Sequence, residues 1–222
     1  MAHFLPISSA VRVRRAVLGT LLLGVTGVTL AACSSSTPSL YSLQPSVARA
    51  GGATGYGLTS TTVPTLVEVR KPTIPETLDR DRIVLDDSGY KLDVATTDAW
   101  SAPLSAQIPH VVVADLRQRL PGTTFFVQDD ATASDPQAFV ELVVTRFSRE
   151  GAGGPAVLDM QVVVHRADSD TARVAQSLHL TAPAATGTEA LVGALSTLLG
   201  QASDQIAAAL RSLPPEPSSS TP

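Results

Sequence analysis

The sequence predicts an α+β fold, a single domain with a largely antiparallel sheet and two main helices packed on it. Three observations carry this. Residues 137–147, 156–165 and 173–181 alternate apolar and polar side chains and are joined by short polar or Gly-rich links. Such neighbouring strands pair antiparallel by default. Residues 104–120 and 189–213 instead repeat apolar side chains every three or four positions, the period of a helix with one buried stripe. Setting aside residues 1–32 leaves 190, irregular at both ends, which suits one domain of about 150 residues.

The first 32 residues read as an export signal. Arg12, Arg14 and Arg15 precede an apolar run, Ala16 to Ala32, that ends in Leu30-Ala31-Ala32-Cys33. The run is shorter than the roughly 20 residues of a membrane span and carries Gly19, Gly24 and Gly27. Cys33 is the only cysteine, and Leu-Ala-Ala-Cys resembles the lipobox of bacterial lipoproteins. The resemblance implies cleavage between Ala32 and Cys33, diacylglycerol on the Cys33 sulfur, and acylation of the new amine by a chain such as palmitate. Each buried CH2 contributes about 0.8 kcal/mol, so three chains anchor where one holds only marginally. A transmembrane helix and a buried cysteine after an ordinary signal are the competing readings. Arg14-Arg15-Ala16-Val17-Leu18 also resembles a twin-arginine signal, with general secretion as the default route.

The mature chain carries 13 basic and 20 acidic residues, a formal charge of −7. That balance argues against nucleic acid, which attracts clustered Lys and Arg. With Cys33 lipidated no disulfide is available, so stability rests on core packing.

In chain order, residues 33–39 form a polar tether, 40–213 the folded α+β domain and 214–222 a disordered tail. Leu40-Tyr41-Ser42-Leu43 alternates as a first strand. Residues 44–62 are a Gly-rich loop that lacks phosphate-loop spacing. Residues 65–69 form a strand, stopped by Pro72 and Pro75. Residues 82–94 read as a hairpin whose turn, Asp86-Asp87-Ser88-Gly89, is solvated. Ser101 is expected to cap a helix with Pro103 in its first turn, bent near 105–109 by Pro109 and stopped by Pro121-Gly122. Residues 124–128 form a strand. The three long alternating strands follow, the first with Phe139, Glu141, Val143, Thr145 and Phe147 on one face. Thr186 or Thr188 caps the last helix, whose stripe runs from Leu191 to Leu213.

Catalytic and metal chemistry find no support. The mature chain has His110, His165 and His179, but no H-E-x-x-H, no Cys/His ligand set and no G-x-S-x-G elbow. No cofactor is expected. Trp100, the one tryptophan, reads as a hydrophobic plug ahead of the helix.

The order of pieces is specific. A lipobox cysteine is followed by Tyr41-x-Leu43, a segment ending in Ile74-Pro75, then Leu78-Asp79-Arg80, Ile83-Val84 and Trp100-x-x-Pro103-Leu104, before a β meander and a C-terminal helix. This resembles the PqiC-like family, auxiliary lipoproteins of ABC-type intermembrane lipid transport systems. The resemblance implies a non-enzymatic lipoprotein on the periplasmic face of the outer membrane that contributes to membrane integrity. Its partners would be an MCE-domain protein bridging the periplasm and inner-membrane transport components, and its task to dock or cap the bridge. It also implies that Tyr41, Leu43, Ile74, Pro75, Trp100, Pro103 and Leu104 are structural or interface positions, and that a ring-like homo-oligomer is plausible. A stand-alone envelope lipoprotein and a periplasmic hydrolase remain as alternatives.

Overall fold

A computed structural model describes residues 37–47, 63–87, 90–128, 130, 135–168 and 173–214. The expected signal, Ala32, Cys33, most of the tether, the Gly-rich loop and all but the first residue of the tail lie outside them. Eight strands and two helices follow in the order β1 (Ser39–Tyr41), β2 (Leu66–Val69), β3 (Arg82–Asp86), β4 (Asp93–Trp100), α1 (Leu104–Arg119), β5 (Thr124–Val127), β6 (Ala138–Arg149), β7 (Ala156–Arg166), β8 (Arg173–Ala182) and α2 (Thr188–Ser212).

The strands form one mixed sheet. The β6-β7-β8 ribbon is antiparallel, as its alternation predicts. The remainder corrects the expectation of a largely antiparallel sheet. β1 pairs β4, β2 pairs both β5 and β6, and β3 touches β6, all in parallel; β3–β4 is the one antiparallel hairpin outside the ribbon. Four of the seven pairings among the described residues are therefore parallel. Alternation locates strands but not their direction. β2 does not pair with its neighbour in sequence. It waits for β5, with Leu66 opposite Thr124, across a connection that includes α1.

Strand β6 is the spine. One edge carries β7 along its whole length; the other is shared between β2 at Ala138–Val140, a bridge from Thr73 to Val143, and β3 at Arg149. Its pairing with β7 slips between Val144 and Arg146, a bulge at Thr145. The extra residue inverts the alternation beyond it. Phe147 thus joins Val140, Leu142 and Val144 in the core, 1% exposed, instead of sharing the face of Phe139.

Both helices cover the same face of the sheet, α2 over β6, β7 and β8 and α1 over β2 and β5. Leu191, Leu195, Leu198, Ala202, Ile206 and Ala209 are buried, as their spacing predicts. Helix α1 is continuous through Pro109, which is itself buried. Its cap position is Pro103, not Ser101, because β4 runs on to Trp100 and leaves Ser101 outside the helix. Helix α2 is entered through Gly187 at φ 99°, a left-handed conformation suited to glycine. Neither threonine caps it; the Thr188 hydroxyl instead bonds the Asp98 carboxylate. Among the described residues, no helix is long and apolar enough to cross a membrane.

Candidate functional site

The described positions that the sequence singles out meet at one junction, where the N-terminal segment joins the body. Tyr41 sits opposite Trp100 at the β1–β4 pairing, and its carbonyl accepts the Ser101 N–H at 2.8 Å. Beyond it, residues 42–47 take no regular structure and pass as a strap over both helices. The helices hold the strap through its backbone. The Leu43 N–H donates to Gln107 Oε1 of α1 at 2.9 Å, the Gln44 N–H to Ser196 Oγ of α2 at 3.1 Å, and the Ser46 N–H to Asp115 Oδ1 of α1 at 2.8 Å. Leu43 itself is buried.

The other positions assemble the floor of this junction. Ile74 packs against the core, and the Pro75 carbonyl accepts the N–H groups of Leu78 and Asp79, turning the chain. Asp79 Oδ1 then accepts the Ser105 N–H at 3.0 Å. A carboxylate distant in sequence thereby takes one of the unpaired donors in the first turn of α1, the office expected of Ser101. Trp100 is 5% exposed and packs on Phe147, ring centroids 6.5 Å apart. It is a core side chain, and the residue's backbone N–H donates to the Asp81 carbonyl at 2.7 Å. Leu104 is buried beside it.

Under the strap lies a cluster that the pattern of apolar residues does not reveal. Asp115 is fully buried. Besides the strap N–H it accepts the Ser203 hydroxyl at 3.4 Å and faces Arg119 Nη1 at 3.5 Å. Arg119, also buried, reaches Asp204 Oδ1 at 2.5 Å and the Gly200 carbonyl at 2.9 Å. Burial pushes the Asp115 carboxyl above its ordinary value, although the Ser46 N–H and Arg119 act in the opposite direction. Gly200 is what lets the strap lie so close: a Cβ there would stand 1.7 Å from Ser46 Oγ. An Asp and an Arg four residues apart within an apolar stripe, as at Asp115 and Arg119, was the available signal. A shallow cavity of about 370 Å³ separates Tyr41, Gln44 and Pro45 from Glu189, Val192 and Thr197 of α2.

The histidines lie elsewhere. His110 is exposed on α1. On the sheet face that the helices leave uncovered, Phe139 is stacked between Arg70, 4.2 Å from the ring centroid, and His165, 5.2 Å between centroids. Glu141 pairs with Arg70 at 2.6 Å and approaches His165 at 3.6 Å. His179 bonds Asp159 at 2.5 Å near the edge of the same face. Asp87, expected in a solvated turn, is instead mostly buried against Arg146 at 2.8 Å. Among the described residues, no group of three His, Cys, Asp or Glu side chains is placed to hold a metal ion. The junction's chemistry is that of holding a chain: it presents acceptors to a passing backbone.

Comparison with known proteins places the chain in a family. The sequence model of a family described as ABC-type transport auxiliary lipoprotein component matches residues 41–207, from the end of β1 into α2. Intermembrane transport lipoprotein PqiC of Escherichia coli K12 is 28% identical over 127 residues, 57% of this chain and 64% of PqiC, a little under two thirds of that relative. Among solved structures, an uncharacterized protein superposes with a TM-score of 0.61 at 22% identity, covering 78% of this chain and 97% of the other. A protein from Xanthomonas campestris gives 0.59 at 19% identity, covering 76% and 92%. At these identities the two structures speak for the fold alone.

Proposed function

Because the chain belongs to the family of ABC-type transport auxiliary lipoprotein components, we propose that it is the outer-membrane lipoprotein subunit of an intermembrane phospholipid transport system. In this reading Cys33 carries the lipid, the body faces the periplasm, and it docks or caps an MCE-domain partner without catalysing a reaction. The family match over 41–207 carries the proposal. The similarity to PqiC supports the intermembrane setting.

The strap gives the reading a physical basis. A lipid-anchored subunit that positions a partner needs its anchor joined firmly to the body. Here the segment that follows the proposed anchor is bonded to both helices by Gln107, Ser196 and Asp115, and an ion pair between buried Arg119 and partly exposed Asp204 links those helices to each other. The sites that would favour a hydrolase, His165 and His179, lie on an open sheet face and are held by Glu141 and Asp159. The experiment is co-purification. A C-terminally tagged protein extracted from membranes in mild detergent should retain an MCE-domain protein. A tagged protein that elutes alone from intact complexes would support a stand-alone envelope lipoprotein instead.

A further inference from the structure

A lipid on Cys33 does not by itself say which part of the body meets the bilayer; the direction of β1 does. Strand β1 runs parallel to β4, with Ser39 level with Asp98 and Tyr41 level with Trp100. The end of β1 that leads back toward Cys33 is therefore the end that points to the β3–β4 turn. Six residue steps lead from Cys33 to Ser39, a reach of about 20 Å when extended. Six steps also lead from Asp98 back to Leu92 at the foot of that turn, about 20 Å at the rise of a strand. The turn thus lies within the reach of the anchor.

The composition of the turn suits a headgroup layer. Tyr90 is 112% exposed, the most exposed large hydrophobic side chain among the described residues. Lys91 beside it is exposed and Leu92 half-buried. The turn's own carboxylates are drawn back into the body: Asp87 bonds Arg146 at 2.8 Å and Ser148 at 2.5 Å, and Asp86 accepts the Gly151 N–H at 3.1 Å. Exposed Asp93 stays behind the tip, paired with Asp86. The tip itself therefore presents an aromatic ring and a cation, with the exposed carboxylates Asp93 and Glu150 set behind it. Tyrosine is favoured at the membrane–water interface because one end of its ring is apolar and the other wet. A lysine lays its stem along apolar surface and keeps its charge in water.

We propose that the β3–β4 tip, Tyr90-Lys91-Leu92, rests in the headgroup layer of the bilayer that holds the acyl chains of Cys33, and so fixes the orientation of the body. This rests on the lipid-anchor reading. The test uses full-length lipidated protein, in which Cys33 is blocked and an introduced cysteine is the one reactive thiol. Tyr90→Cys, Val47→Cys on the strap and Ser177→Cys on the open sheet face are each labelled with an environment-sensitive fluorophore. They are reconstituted into phosphatidylethanolamine–phosphatidylglycerol vesicles containing spin-labelled lipid. The label at 90 should shift to shorter wavelength and be quenched several-fold more than those at 47 and 177. An aqueous label at 90 on vesicle-bound protein overturns the tip contact alone. Failure to float with the vesicles, with no lipid mass on Cys33, overturns the anchor reading and the tip contact with it.

Discussion

Asp115 shows how much a single side chain does here. It is buried, ionisable and bonded to the backbone of the strap. Replacing it by Ala leaves Arg119 with Asp204 alone of its two carboxylates and the Ser46 N–H without its acceptor. A donor left unsatisfied costs about 1–3 kcal/mol, and urea unfolding should register a loss of that order. Its pH dependence follows from the raised pKa. A carboxyl that holds its proton more tightly when folded favours the folded state below its folded pKa. That contribution is lost as pH rises from the ordinary carboxylate value through the raised one. Measured against Asp115→Asn over that window, the wild type should lose relative stability with increasing pH; a flat difference would contradict the burial account. Gly200 offers a second test. Gly200→Ala places a methyl against Ser46 and should open the strap to protease, and adding Ser46→Gly should restore resistance. Neither residue was legible from periodicity, which marks apolar positions and is silent on a charge placed among them. Leu43, Trp100 and Leu104, which the motif order singles out as structural or interface positions, are buried.

At the scale of elements, the two helices and the β6-β7-β8 ribbon follow from local pattern, because each buries one face and its spacing records which. What failed depended on residues far apart in sequence. Ser101 has the right type for a cap, yet Asp79 does the work from another segment. Asp79→Ala should therefore cost about 1 kcal/mol, the usual value of a lost N-cap, and should speed amide exchange in the first turn of α1. Ser101→Ala should leave that exchange unchanged. The bulge at Thr145 is likewise invisible to strict alternation, since one residue more or less reads as the same strand. Deleting Thr145 would remove the extra residue and leave Phe147 opposite Leu158, still facing the core. Phe147→Ala instead removes the ring and should forfeit about 3 kcal/mol or more, seen as a lower urea midpoint and a weakened near-ultraviolet signal from Trp100, its neighbour.

At the scale of the whole molecule, the mixed sheet is consistent with the proposed role as a docking subunit. Strand β6 ties together two groups of strands that are remote in sequence, β2 with β5 and β3 with β4 and β1. Strand β1, three residues long, receives the anchor segment at one border of this sheet. Were Cys33 lipidated as proposed, a pull on the lipid would be delivered to β4 and, through the strap, to both helices. Sequence order suggested the lipid anchor and the family, because those rest on short motifs. It did not give the parallel pairings, because these are decided by contacts between residues such as Leu66 and Thr124. The proposal that Cys33 joins this body to a membrane has one direct measurement, the mass of the N-terminal peptide of the protein purified from its own envelope. The account predicts a peptide that begins at Cys33 and carries a diacylglyceryl group on sulfur and an acyl group on the amine. An unmodified Cys33 thiol, or a mature chain that begins elsewhere, would contradict it.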